Sequence, residues 1–197
     1  MPQPDHVMAL PVPAGDPDDP ALARYYGVCR DKLGFVPNVL RAFQSRPSKL
    51  ATFSQLYNEA MLGDSGLSKL EREMIAVVVS SANHCYYCLV AHGQAVRALS
   101  GDPQLGEMLV MNYRVAPLSD RQRAMLDFAW DLTLKPQEVD GGERRALLHK
   151  VGFSDDDIFD IADIVGLFNL SNRVAITTDM MPNPEYHTLN RTTDPKD

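Results

Sequence analysis

The stretch Leu67–Gly93, "LSKLEREMIAVVVSSANHCYYCLVAHG", decides how this chain is read. It opens on a capping box, Ser68 with Glu71 three residues later. In that pattern each side chain satisfies the other residue's backbone N–H at a helix start. The run Ile75–Val79 is β-branched and could serve a strand. The cap, the length and the helix formers before the run favour a buried helix. In the second half, Cys85, Cys88 and His92 are spaced by three and four residues, which puts them on one face of a helix. Leu89, Val96 and Leu99 continue that stripe, so it is expected to face the core. Asn83 is the expected N-cap. Cys85 would then lie in the first turn, where free N–H groups and the helix dipole favour a thiolate.

Those residue types point to thiol chemistry. An ordinary thiol, with a pKa of about 8.5, is only a few per cent ionised at neutral pH. Lowering that value to roughly 7 makes half of it thiolate. His92 can take the proton directly or through a water. Cysteines three residues apart near a helix start can close a disulfide with small adjustment. A catalytic base needs a third group to orient it, and Glu73, bordering the apolar run, is the candidate. Its competing reading is a solvated first-turn glutamate, because Glu is seldom buried. Helix position favours Cys85 as the attacking sulfur. Nearness to His92 favours Cys88, the choice preferred here because a base acts over hydrogen-bond distance.

Outward from this stretch the pattern stays helical. "ALARYYGVCRDKLG" spaces Leu22, Tyr25, Tyr26, Cys29 and Leu33 at three and four residues, with Gly34 as the stop. "PNVLRAF" and "SKLATFSQLYNEAML" follow as helices, then "PQLGEMLVMNY" after the cysteines. "SDRQRAMLDFAWDLTLKP" carries a second capping box, Ser119 with Gln122, and ends at Pro136. "ERRALLHKVG" is brief, and the helix that opens at "SDDDIFDIADIV" is the longest, its acidic first turn suited to the helix dipole. The expectation is an all-α bundle over residues 21–181, with an extended Pro- and Asp-rich arm over 1–20 and a turn-rich polar tail over 182–197. "LSKLEREM" and "LSDRQRAM" resemble each other, so two related helical halves are one reading and two similar helix starts the other. The second copy has Ala124 in place of Glu73 and no cysteine pair after it.

The 197 residues, with a net charge of -7, 45% hydrophobic and 23% charged residues, fit one globular domain with a full core. The acidic balance argues against nucleic acid or an anionic membrane surface as the main partner. No apolar run approaches the roughly 20 residues of a membrane helix, and the N-terminus has no signal-peptide pattern. A cytoplasmic location is expected, where close cysteine pairs serve catalysis or metals more often than they staple a fold.

At this point the residues resemble a known family. Glu73, then Cys85 and Cys88 as a CxxC twelve residues on, then His92 four after the second cysteine, is similar to the active-site segment of the alkylhydroperoxidase D and carboxymuconolactone decarboxylase superfamily. "YRVAPLSDRQRAMLDFAWDLTLKP" and "FNLSNRVAITTDM" resemble its peroxidase-related branch, so the likeness covers roughly residues 35 to 185. The resemblance implies an alkylhydroperoxidase D-like helical bundle and homo-oligomers built on a trimer, as trimer or hexamer. It also implies reduction of hydroperoxides through a Cys85–Cys88 dithiol/disulfide cycle. No cofactor besides that redox-active disulfide is expected, and the partners would be a hydroperoxide and a dithiol or protein reductant. Alkylhydroperoxidase D carries a histidine just before its second cysteine, where this chain has Tyr87. If that histidine relays protons, the step is missing here or falls to Tyr87 or His84. The related decarboxylases lack the CxxC.

A zinc site on Cys85, Cys88 and His92 lacks the second ligand pair that structural zinc usually needs, since Cys29, His6, His149 and His187 are scattered. Leu89 after Cys88 excludes a c-type haem motif. A thiol–disulfide oxidoreductase acting on a partner protein and a redox-inert interaction module are the alternatives to the peroxidase. Cys29, Trp130, Phe128 and Leu132 read as packing. Tyr86 and Tyr87 read as core or subunit contact. Asn172 and Arg173 are either a buried polar contact or the wet side of a helix.

Overall fold

The computed structural model describes residues 3–139 and 142–192. Among these the chain forms nine α-helices and no strand. They are α1 Pro20–Leu33, α2 Asn38–Phe43, α3 Pro47–Leu62, α4 Lys69–Ala82, α5 Tyr86–Ser100, α6 Pro103–Asn112, α7 Asp120–Leu134, α8 Glu143–Lys150 and α9 Asp155–Thr177.

The apolar run that resembled a strand is the axis of the fold. Ile75, Ala76, Val77, Val78 and Val79 of α4 are all fully buried. A helix apolar on every side needs neighbours on every side, and α4 is packed by α3, α5, α6, α7 and α9. Both anticipated capping boxes form. Ser68 Oγ accepts the Glu71 N–H at 3.1 Å, and Ser119 Oγ accepts the Gln122 N–H at 3.2 Å. The two similar helix starts lie side by side, with Arg121 Nε donating to Glu71 Oε1 at 3.1 Å. A third box, Ser154 with Asp157, starts the 23-residue α9.

α5 and α6 approach closely where glycines meet. A Cβ at Gly106 would stand 2.8 Å from the Gly93 carbonyl oxygen. The N-terminal arm and the chain after α9 run along each other, joined by Ala9 N–H to Thr178 O at 2.8 Å and Met181 N–H to Val7 O at 3.0 Å. The end of the chain is less polar in its packing than its composition implies. Asn183 and Tyr186 are buried, and Asn183 bridges to α2 by accepting the Asn38 N–H at 2.7 Å.

Candidate functional site

The link between α4 and α5 is three residues long and aims the chemistry. Asn83 does not cap α5 as expected. It is the C-cap of α4. His84 follows in the left-handed region at φ 56°, with its N–H on Ser81 O at 3.1 Å and the Cys85 N–H on Ser80 O at 2.9 Å. This is a Schellman closure with histidine where glycine is usual. Cys85 itself becomes the N-cap of α5, in extended conformation. His84 is exposed, so its observed contribution is to the turn.

α5 then runs back along α4. Cys85, Cys88, His92 and Val96 are buried as one stripe, but the stripe ends there, since Leu99 is 46% exposed and Leu89 half-buried. The turn brings Glu73, in the N-terminal half of α4, opposite His92, and both side chains are 11% exposed. Glu73 Oε2 and His92 Nδ1 are 2.7 Å apart. Of the two readings of Glu73, the buried partner is the one the fold adopts. The carboxylate accepts the proton at Nδ1 and leaves Nε2 for other work. The Phe168 ring stands edge-on to the imidazole, centroids 4.6 Å apart, and holds it from the other side.

Both cysteines are free thiols. The Cys85 thiol is lowered: the Cys88 thiol beside it stabilises its anion, burial works against this, and the Cys88 backbone N–H, His92 and the Asn172 amide add to the lowering. Cys88 is pushed well above the usual thiol range, because its proton serves the Cys85 sulfur and because it is buried next to that charge. Of the two thiols, Cys85 is therefore the one that loses its proton more readily. Cys88 and His92 line a small cavity of about 30 Å³, which Cys85 does not line.

A polar cluster under the sulfurs was only half legible in advance. Asn172 is fully buried on α9. It donates to Ser80 Oγ at 3.0 Å and accepts from Asn83 Nδ2 at 3.0 Å. Asn83 also donates to Asn169 Oδ1 at 3.1 Å. Arg173 is exposed and binds Asn169 instead. Ser80 and Asn83 were missed as site residues. Their signal was a run of polar residues closing an otherwise apolar helix. Tyr87 is buried and its phenol oxygen accepts the Val39 N–H at 3.0 Å, which ties α5 to α2. Cys29 is buried 8% exposed on α1 and borders a larger cavity next to Glu73 and His92. Among the described residues no three His, Cys, Asp or Glu side chains are grouped as metal ligands.

A helical bundle carrying two buried thiols beside a Glu–His pair defines a class of dithiol proteins. Residues 47–129 match the carboxymuconolactone decarboxylase family, a span that runs from α3 into α7. The chain shares 57% identity and a TM-score of 0.92 with an uncharacterized peroxidase-related protein from Silicibacter sp. TM1040, covering 97% of this chain and all of that one. It shares 39% identity and a TM-score of 0.91 with an alkylhydroperoxidase AhpD core protein, also peroxidase-related, from Ralstonia eutropha JMP134, again over 97% of this chain and all of that one. The debrominase Bmp8, solved with 2,3,4-tribromopyrrole, is similar in fold, with 19% identity, a TM-score of 0.75, and coverage of 93% of this chain and 95% of that one. No curated protein sequence matches. The chain belongs with the alkylhydroperoxidase D-like, peroxidase-related proteins.

Proposed function

We propose that this protein is a thiol peroxidase that reduces organic hydroperoxides through a Cys85–Cys88 dithiol/disulfide cycle. The observation that carries the reading is the buried pair of free cysteines on the same helix as His92, which is held by Glu73 at 2.7 Å.

Cys88 is the attacking sulfur, since it borders the small cavity with His92 and Cys85 does not. Its proton passes to the free Nε2 of His92. The Cys88 thiolate then attacks the outer oxygen of the hydroperoxide. The S–O bond forms, the O–O bond breaks, and the leaving alkoxide takes a proton from His92. Cys88 is now a sulfenic acid. The Cys85 sulfur displaces its oxygen, which leaves as water with the Cys85 proton, and the Cys85–Cys88 disulfide closes. An external dithiol or protein reductant returns both thiols. Glu73 orients the imidazole and supports its charged form. The same cycle, with a protein disulfide in place of the hydroperoxide, is the thiol–disulfide oxidoreductase alternative.

Tyr87 stands where alkylhydroperoxidase D carries a histidine, and its hydroxyl is engaged with the α2 backbone, so in this proposal proton transfer rests on His92. A cytoplasmic setting would keep the two thiols reduced. No helix among the described residues is long and apolar enough to cross a membrane. A homo-oligomer built on a trimer fits the family. Hydroperoxide-dependent loss of the two thiols, with one alcohol formed per disulfide, tests the reading. Thiols that survive excess hydroperoxide would overturn it.

A further inference from the structure

The cavity beside Cys88 is too small for an organic substrate. A water needs about 10–15 Å³ by the same measure, so about 30 Å³ holds the two oxygens of a peroxide and little else. A second cavity of about 230 Å³ stands next to it. It is lined by residues of α1, α2, α3 and α5 and by Tyr186. It borders Glu73 and His92 but neither Cys85 nor Cys88. Val39, Phe53, Tyr57, Tyr87 and His92 line both spaces.

The lining of the larger cavity says what would fill it. Its volume is below the roughly 300–1,000 Å³ of drug-sized sites, which suits a single ring with short substituents. Phe53, Tyr57, Tyr87 and Tyr186 supply ring faces and edges, the surroundings an aromatic guest prefers. Among the described residues no lysine or arginine borders it, and Glu73 brings negative charge to its floor, so an anionic guest would meet one opponent and no partner there. Ser54 lines this space, is 8% exposed, and its hydroxyl has no hydrogen-bond partner. Buried hydroxyls are nearly always paired, so this one is left for a guest. Burial keeps the Tyr57 and Tyr87 phenols protonated, and Tyr57 makes no hydrogen bond among the described residues, so it can donate to a neutral oxygen.

We propose that this cavity binds the organic part of a small, neutral, aromatic hydroperoxide, with Ser54 and Tyr57 as its positioning hydroxyls, while the peroxide group reaches Cys88 past Tyr57, Tyr87 and His92. The substrate assignment rests on the thiol peroxidase reading. The binding assignment does not.

The test has two arms. In the first, 2-phenyl-2-propanol, the alcohol left by cumene hydroperoxide, is titrated into the reduced full-length protein by calorimetry or ligand-observed NMR, with benzoate as the anionic comparator. The alcohol binds, benzoate does not, and Ser54→Leu, which fills the space, weakens alcohol binding at least tenfold. In the second arm, kcat/KM for cumene hydroperoxide is divided by that for hydrogen peroxide, and the ratio falls at least tenfold in Ser54→Leu. Ser54→Ala, which adds no volume, gives a smaller fall in the same direction and serves if the leucine variant does not fold. No alcohol binding, equal binding of benzoate, or an unchanged ratio overturns the proposal. Alcohol binding without thiol oxidation by any hydroperoxide would instead sink the peroxidase reading and leave the cavity assignment standing.

Discussion

Replacing Asn172 by alanine probes the cluster beneath the sulfurs. The side chain is fully buried. Its loss removes the 3.0 Å bond to Ser80 and the 3.0 Å bond from Asn83. Each neutral bond contributes about 1 kcal/mol. Asn83 keeps Asn169 as a partner, whereas Ser80 loses its donor in a buried position. With the small void left behind, the expected destabilisation is about 2–4 kcal/mol. The amide also lowers both thiols, so without it both hold their protons to higher pH. A folded state that binds its protons more tightly loses stability as pH rises through the ordinary thiol range of about 8.5. The gap between variant and wild type should therefore be larger at pH 9 than at pH 6. Urea unfolding at the two pH values gives the gap, and thiolate absorbance near 240 nm gives the titration, which should move upward. Loss of a hydrogen bond to a charged acceptor, about 1.5–3 kcal/mol, slows thiol oxidation by roughly 10- to 100-fold. A loss of stability under about 0.5 kcal/mol with an unmoved titration would refute the assigned role, because a solvated side chain behaves that way.

Other predictions follow the same geometry. Glu73→Gln keeps the shape of the partner but removes its charge, and hydroperoxide-driven thiol oxidation should slow by about 10²- to 10⁴-fold; a change under threefold in stopped flow would remove Glu73 from the site. His84→Gly relieves the left-handed residue at the end of α4, so chemical denaturation should show unchanged stability or a gain of up to about 1 kcal/mol. A clear loss there would assign the histidine side chain a contact the turn does not need. Gly106→Ala forces a Cβ against the Gly93 carbonyl and should cost about 1–3 kcal/mol, read as a lower melting temperature.

The fold was readable where caps and periodicity agreed. The Ser68–Glu71 and Ser119–Gln122 boxes start helices where spacing placed them, and the β-branched run of α4 is a helix because neighbours bury it on every side. The α4–α5 turn was misread because Asn serves equally as an N-cap and a C-cap. Only tertiary packing shows that Asn83 ends α4 and turns its amide toward Asn172. The Cys85, Cys88 and His92 stripe followed from spacing alone. Its extension to Leu99 did not hold, since that residue near the end of α5 is 46% exposed. The pairing of Glu73 with His92 spans two helices, a relation that no local pattern in one sequence encodes. Ser54 and the cavities were invisible in the sequence because a serine in an amphipathic helix looks solvated until the surrounding rings are in place.

The central claim is that Cys88 attacks and Cys85 resolves. Stopped-flow oxidation by cumene hydroperoxide of the reduced wild type, Cys85→Ser and Cys88→Ser, with sulfenic acid trapped by dimedone and located by mass spectrometry, tests it directly. The account predicts that Cys85→Ser consumes one equivalent and carries the trapped adduct on Cys88, while Cys88→Ser is inert. An adduct on Cys85 in an active Cys88→Ser variant, or full turnover by both single variants, would contradict it.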